Sequence, residues 1–534
     1  MRVNREHPVS LLPSRSIERW FLVAWLALSL TFLVLALQGI ARHLRFEDAL
    51  IVLRYARNLV MGDGFVFNPG ERVLGVTTPL YTLISTVYVA VAGNAAPILQ
   101  NLAGFAALTV QALLIGRLAS RLSDGKTPSE SNLMGLATGA LAGALVLGNY
   151  NLNYLYAGME VHLFVVLVLF AWERTFATVR AAEPRGDTDP RERKHAAILI
   201  GVVLGLAFLT RYDAALAALL IGVSLWVAWR RPPWRLTTTF FVVVSPWLLF
   251  ANLYFGGFLP APLAAKHGYH ELGGYLFRVL LFQRTSFESL AGAFGAPTAW
   301  REPIAYVVAL IILAGVVRLG LRKGSGWLTP ERLAVWLFLL YPALHVAVYA
   351  VIGSDPGFTW HYYLVTPILW LLFAIGLRAI LESLAKVAPR RAWLPTAVIL
   401  VATVPPLVFA LRGIARPYEA DPLTRELHTV ARWLDERYDD EVSLLNPAIG
   451  ILGWETGMRI VDHAGLVTPG LYYFDGLDHT PLGDVLTEHR PDLVLLFGEE
   501  DPVLLQEGYR RVAAFDAISE MYGLYERRGL SVTP

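Results

Sequence analysis

Thr77-Thr78-Pro79-Leu80-Tyr81-Thr82-Leu83-Ile84-Ser85-Thr86-Val87-Tyr88-Val89-Ala90-Val91-Ala92-Gly93 carries no charge and is apolar enough to be taken for a membrane span. The topology of the whole chain turns on whether it is one. Basic clusters recur beside the long apolar runs: Arg2, Arg5, Arg15 and Arg19, then Arg117/Arg121/Lys126, Arg174 through Lys194, Arg230/Arg231/Arg235, Arg318/Arg322/Lys323 and Lys386/Arg390/Arg391. Lys and Arg near span ends mark the cytoplasmic side. If both 77–93 and the run 98–119 crossed, Arg117, Arg121 and Lys126 would face outward, against that bias. A helix lying at the outer interface removes the conflict, and residues 41–97 become one extracytoplasmic segment.

The rest then falls into register. Trp20–Ile40 is too long for the apolar core of a signal peptide and no small-residue cleavage site follows it, so it reads as a first span with a cytoplasmic N-terminus. Further spans are expected near 98–118, 133–149, 161–180, 196–210, 214–229, 237–254, 302–319, 331–351, 363–384 and 393–412. That makes about eleven. An odd number places the C-terminal region outside.

Composition supports a chain whose main solvent is lipid. Of 534 residues, 55% are hydrophobic and 16% are charged, against about 25% charged in a soluble domain. This excludes a disordered chain and argues against a soluble enzyme. The absence of cysteine excludes disulfides, thiolate metal sites and a Cys nucleophile. The net charge of +2 hides an asymmetry: residues 413–534 hold 10 Arg, no Lys and 22 acidic groups, a local balance of −12. The expected class is therefore a polytopic α-helical membrane protein, with a transmembrane domain over 1–412 whose outer loop 41–97 carries amphipathic and interfacial helices. Residues 413–534 read as a soluble extracytoplasmic α/β domain, with a helix over Leu423–Tyr438 and short strands at Glu441–Asn446, Arg459–Asp462, Asp492–Phe497 and Tyr522–Arg527.

The loop before Thr77 carries the most specific pattern. Phe46-Glu47-Asp48-Ala49-Leu50-Ile51-Val52-Leu53-Arg54-Tyr55-Ala56-Arg57-Asn58 reads as a helix, with Glu47, Ile51, Arg54 and Asn58 on one face and Asp48, Val52 and Tyr55 on the next. Paired acids at a helix start also suit the helix dipole, which is the plainer reading of Glu47 and Asp48. Gly62-Asp63-Gly64, then Phe67-Asn68-Pro69-Gly70-Glu71-Arg72-Val73, then Thr77-Thr78 complete the run. This stretch resembles the first extracytoplasmic loop of the GT-C superfamily of polyprenyl-phosphate-sugar-dependent glycosyltransferases, and within it the mycobacterial-type terminal arabinofuranosyltransferases. Ala157-Gly158-Met159-Glu160, Leu209-Thr210-Arg211-Tyr212-Asp213 and Leu259-Pro260-Ala261-Pro262-Leu263-Ala264-Ala265-Lys266 are similar to shorter motifs of the same family. The topology puts all of them on one side of the membrane.

The resemblance implies a membrane glycosyltransferase with an inverting one-step displacement. It would move a sugar, arabinofuranose first, from a decaprenyl- or undecaprenyl-phosphate donor to a cell-envelope glycan acceptor outside a bacterial plasma membrane. Glu47 or Asp48 would be the general base; Arg54, Arg57, Lys266 and His361 would bind the donor; Asn68, Glu71, Glu160, Arg211 and Asp213 would bind sugar or acceptor. Relatives usually carry Asp where Glu47 stands, which leaves the choice within the pair open. A divalent cation (Mg, Mn or Ca) on Glu47 and Asp48 is compatible with oxygen ligands, but nothing in the sequence requires a cofactor. No nucleotide-binding fingerprint and no nucleic-acid partner are indicated.

Plainer roles stand beside each assignment. Glu160 reads equally as a solvated loop acid, Arg211 and Asp213 as an ion pair across a turn, Lys266 as a snorkelling side chain, and His361 as part of an aromatic belt. Asp462, ahead of Gly465, reads as a turn residue. A lipid-sugar flippase, or a relative that binds lipid-linked sugar without turnover, are the alternative functions.

Overall fold

The computed structural model describes residues 46–124, 133–148, 158–182, 190–265, 272–321, 329–352, 358–387, 393–415, 422–468, 480–497, 502–517 and 520–530, with Leu30 and Leu471. The expected first span near 20–40, apart from Leu30, and Lys266 lie outside the described residues. Over the membrane part the helices are α1 (Glu47–Met61), α2 (Pro79–Ala92), α3 (Ala96–Asp124), α4 (Leu133–Gly148), α5 (Val161–Ala182), α6 (Pro190–Thr210), α7 (Ala214–Trp229), α8 (Trp234–Phe255), α9 (Ala261–Ala265), α10 (Leu272–Ala293), α11 (Thr298–Gly320), α12 (Pro330–Ile352), α13 (Val365–Ala385) and α14 (Leu394–Ala415). The C-terminal part runs α15 (Pro422–Asp435), β1 (Ser443–Leu445), α16 (Ile449–Glu455), β2 (Arg459–Val461), α17 (Leu482–His489), β3 (Leu493–Phe497), α18 (Pro502–Gln506), β4 (Tyr509–Ala517) and β5 (Glu520–Arg527).

Among the described residues, eight helical stretches are long and apolar enough to cross a membrane, and α4 and α7 are shorter apolar helices. Each span expected from 98–118 onward coincides with one of α3 to α8 or α11 to α14. The segment that decides parity forms α2, started by Pro79 at its first turn and joined to α3 by a 3-10 turn at Gly93–Ala95. Its 14 residues span about 21 Å at 1.5 Å per residue, short of a hydrocarbon core of about 30 Å. It buries Tyr81, Thr82, Ser85 and Val89, and leaves Leu83, Val87 and Val91 exposed. Such a face suits an interfacial helix.

Helices α9, α10, α16, α17 and α18 and strand β4 go beyond the elements expected from the sequence. Helix α10 falls in a stretch expected to be loop, and it lies across other helices: Phe282 meets Tyr362 edge to face at 5.0 Å, and Phe287 meets Trp370 at 5.7 Å. Strand β4 was also missed. It lines the edge of a five-stranded sheet of order β2-β1-β3-β5-β4, with β1 parallel to β2 and β3 and the rest antiparallel.

The sheet does not stand apart from the membrane part. One hydrophobic core joins Leu50, Leu53, Tyr55 and Ala56 of α1, Phe65 and Phe67 of the following loop, Trp247 of α8, and Leu427, Leu444, Ile451, Trp454, Leu493 and Leu524 of the C-terminal part. Helix α1 is therefore a wedge between the sheet and the bundle.

Candidate active site

Helix α1 has Glu47 and Asp48 in its first turn and Gly62 in the left-handed conformation at its C-terminal end, with φ 93°. Adjacent residues on a helix point about 100° apart, and here that angle separates the paired acids. The Glu47 carboxylate accepts the Ile451 N–H at 2.7 Å and also that of Gly450, closing the first turn of α16. Burial pushes its carboxyl up to about 7, while the two N–H groups pull the other way. Asp48 instead lines a cavity of about 320 Å³.

The polar end of that cavity is a connected network. Arg211 Nη1 donates to Glu160 at 2.9 Å and its Nε to Asp213 at 3.2 Å. Arg211 Nη2 donates to the Tyr349 hydroxyl at 2.7 Å, which in turn donates to Asp213 at 2.6 Å. His345 bonds the His361 carbonyl at 2.7 Å, and the His361 ring stacks on Tyr349 with centroids 4.5 Å apart. Burial pushes the Glu160 carboxyl up, and Arg211 opposes that shift. Sharing one guanidinium between two acids is how a buried charge cluster is kept tolerable. Thr78 Oγ1 and Asp213 Oδ1 are buried without a hydrogen-bond partner among the described residues, and both residues line the cavity. Buried polar atoms are nearly always satisfied, so these two suit the hydroxyls of a ligand.

The other walls are apolar: Ile51 and Val52 from α1, Val76, Met159, Pro262, Leu263, Val348, Ile352, Trp360 and Leu466. Leu466 belongs to the loop that Asp462 organises. Its carboxylate accepts the N–H groups of Ala464 at 2.8 Å, Leu466 at 2.5 Å and Val467 at 2.9 Å, the turn role expected from the sequence. Gly75 passes so close that a Cβ there would meet the Leu466 carbonyl at 2.7 Å and Val467 at 2.6 Å.

Four of the expected binding residues lie away from the cavity. Arg54 and Arg57, expected at the donor phosphate, turn away from the cavity. Arg54 donates to the carbonyls of Phe67 (3.1 Å), Gly453 (2.8 Å), Gly457 (2.6 Å) and Met458 (3.3 Å). Arg57 donates to the Trp454 carbonyl at 2.6 Å and lies 3.6 Å over its ring. Asn68 and Glu71, expected at sugar or acceptor, dock β2: Asn68 exchanges bonds with the Ile460 carbonyl (2.9 Å) and N–H (3.1 Å), and Glu71 pairs with Arg459 at 2.6 Å. The reason is common to all four. They face α16, β2 and the turn between them, which arrive from nearly 400 residues away: Arg54, Arg57 and Asn68 satisfy backbone groups there, and Glu71 pairs with the Arg459 side chain.

Asp48, Glu160, Arg211, Asp213 and His361 line one cavity. Lys266 lies outside the described residues, immediately after α9, whose Pro262 and Leu263 line the cavity. Tyr349 and His345 were missed because they sit inside an apolar run; their i, i+4 spacing on a span was the available signal. Both Glu47 oxygens accept N–H groups, and no group of three or more metal-ligating side chains occurs among the described residues.

The docking of α16 gives a test. A Cβ on Gly450 would collide with the Glu47 carbonyl, so Gly450→Val is expected to destabilise the protein by about 1–3 kcal/mol, as overpacking does. Thermal unfolding in detergent measures it, and an unchanged midpoint would count against this contact.

This arrangement, a helical membrane part with a mixed sheet docked above a cavity, is similar in fold to solved GT-C glycosyltransferases. The structure is similar to the archaeal oligosaccharyltransferase of Archaeoglobus fulgidus solved with an inhibitory peptide and a dolichol-phosphate, with TM-score 0.58 and 11% identity over 89% of this chain and 69% of that one. It is also similar to arabinofuranosyltransferase AftD from Mycobacteria, with TM-score 0.50 and 17% identity over 95% of this chain and 41% of that one. In sequence, the chain is similar to the terminal β-(1→2)-arabinofuranosyltransferase of Corynebacterium glutamicum, 25% identical over 334 residues, which cover 58% of this chain and 44% of that relative. The chain thus matches less than half the length of that curated relative. Residues 416–532 match a domain of unknown function, DUF8728.

Proposed function

We propose that this protein transfers a monosaccharide, arabinofuranose first, from a polyprenyl-phosphate donor to a glycan acceptor on the extracytoplasmic side of a bacterial plasma membrane. The observation that carries the reading is the cavity itself, where Asp48 and the Arg211 network meet an apolar wall. A lipid-borne sugar has the same two halves. Its size suits one sugar and its phosphate, at the lower end of ligand cavities of about 300–1,000 Å³.

In the proposed step the acceptor hydroxyl attacks the anomeric carbon and its proton passes to Asp48 as general base. The bond from that carbon to the phosphate oxygen breaks, polyprenyl phosphate leaves, and the configuration inverts. Thr78 and Asp213 hold sugar or acceptor hydroxyls, and Arg211 with Tyr349 fixes Asp213 in place. Lys266 receives the leaving phosphate, where a preplaced cation is worth most, and the prenyl chain runs along Val76, Leu263 and Leu466.

Incubating purified protein with polyprenyl-phosphate arabinofuranose and an oligoarabinan acceptor tests this, with the new linkage assigned by NMR. Binding or translocation of the donor without product, across a panel of polyprenyl-phosphate sugars, would replace transfer by the transport or binding function.

A further inference from the structure

At the end of the bundle opposite the cavity, three arginines gather on one buried acid. Glu173 of α5 is 2% exposed. Arg121 Nη1 lies 3.0 Å from its carboxylate, Arg117 Nη2 3.7 Å and Arg174 Nη1 3.9 Å, and Arg121 also donates to the Glu173 carbonyl at 2.9 Å. Among the described residues Glu173 is the one carboxylate paired with any of the three. A single negative charge thus answers three positive ones, and Arg180 follows seven residues after Glu173 on the same helix face. Like charges held together at a partly dehydrated site cost free energy unless an anion joins them.

Depth says what kind of anion. Glu173 is 13 residues beyond Glu160 on one helical run, about 20 Å along its axis, and Arg180 lies farther still. In a hydrocarbon core of about 30 Å, Arg180, 20 residues beyond Glu160 and so about 30 Å along the axis, reaches the headgroup boundary of the leaflet away from the cavity, and the cluster lies about two turns short of it, within reach of snorkelling side chains. Arg117 and Arg174 remain 49% and 40% exposed, open to a ligand from the side. On the face of α3 that carries Arg117, Leu113 and the exposed Val110 lie one and two turns deeper, a track for an acyl chain. A free phosphate would gain nothing from that track.

We propose that Arg117, Arg121 and Arg174 form a binding site for the phosphate headgroup of an anionic phospholipid, independent of the glycosyl-transfer reading. Basic pockets between membrane helices are suited to such headgroups. The test uses the full protein in phosphatidylcholine nanodiscs with and without phosphatidylglycerol, read by thermal midpoint and by lipid retention in native mass spectrometry. Phosphatidylglycerol is expected to raise the wild-type midpoint and to leave one retained lipid, and inorganic phosphate to do neither. The double substitution Arg117→Gln/Arg174→Gln is expected to weaken retention about 30-fold, taking about 1 kcal/mol per basic residue, whereas Arg117→Lys/Arg174→Lys retains most of it. These side chains are half exposed, and gel filtration checks that both variants remain folded. Equal retention by wild type and the Gln variant, no preference for phosphatidylglycerol, or the same effect from inorganic phosphate would each overturn the proposal.

Discussion

Replacing Asp48 by Asn is expected to lower kcat for sugar transfer by about 10²–10⁴-fold, the range for loss of a general base, with little change in donor KM. The neighbouring substitution Glu47→Gln is expected to leave turnover within about tenfold, because an amide oxygen still accepts one N–H and the side chain does not line the cavity. Its signature lies in stability. A carboxyl at about 7 in the folded protein, against 4.5 for the ordinary group, holds its proton more tightly when folded. The stabilisation this linkage supplies is complete below pH 4.5 and is lost as pH rises through 7. The wild-type thermal midpoint should therefore fall relative to Glu47→Gln between these pH values, while only Asp48→Asn removes turnover. Wild-type turnover in the Asp48→Asn protein, or the reverse ranking of the two variants, would move the base elsewhere.

Arg211→Met is expected to destabilise the protein by about 3–5 kcal/mol, the cost of removing one partner from a buried ion pair, and to abolish transfer. The guanidinium holds Glu160, Asp213 and Tyr349 at once, with both acid side chains more than nine-tenths buried. Without it two buried carboxylates face each other uncompensated, and protonation is their relief. The thermal midpoint of Arg211→Met should consequently recover as the solution is acidified, because burial already raises the Glu160 carboxyl and Arg211 no longer opposes that shift. Arg211→Lys should restore part of the stability but not the bond to Tyr349, since a lysine lacks the planar fork that serves three partners. A variant as stable as wild type at pH 8 would show that the cluster is solvated in a way the geometry does not suggest.

The two experiments address different layers of the same wall. In the proposed reaction Asp48 acts on substrate, while Arg211 holds Asp213 and Tyr349 in the cavity wall. A loss of stability without loss of turnover in Arg211→Met would assign the network to packing alone.

Much of the fold was legible in the sequence, because lipid imposes a simple rule: spanning segments must be apolar and must satisfy their own backbone. Hydropathy located the helices from α3 to α8 and from α11 to α14, and the placement of Lys and Arg argued that the α2 segment is not one of them. Helix α10 escaped because Arg278, Arg284 and Glu288 interrupt its apolar face. The first-loop stretch supplies Asp48, Ile51, Val52, Thr77 and Thr78 to the cavity wall, while its other polar residues point elsewhere. Arg54, Arg57, Asn68 and Glu71 are distinctive residues in a distinctive run, but the first three meet backbone groups of the C-terminal part and Glu71 meets the Arg459 side chain.

The sequence by itself determined a multi-pass membrane chain, an acidic C-terminal sheet, and a short set of polar residues gathered on one side. Those follow from composition, periodicity and charge, which are local properties. Only the tertiary structure decided that Glu47 caps α16 while Asp48 faces the cavity, that the loop arginines dock the sheet, and that Tyr349 and His345 complete the site. Each of these depends on which group lies opposite a side chain across hundreds of residues, and on a turn of about 100° between neighbours on a helix, neither of which any local pattern encodes.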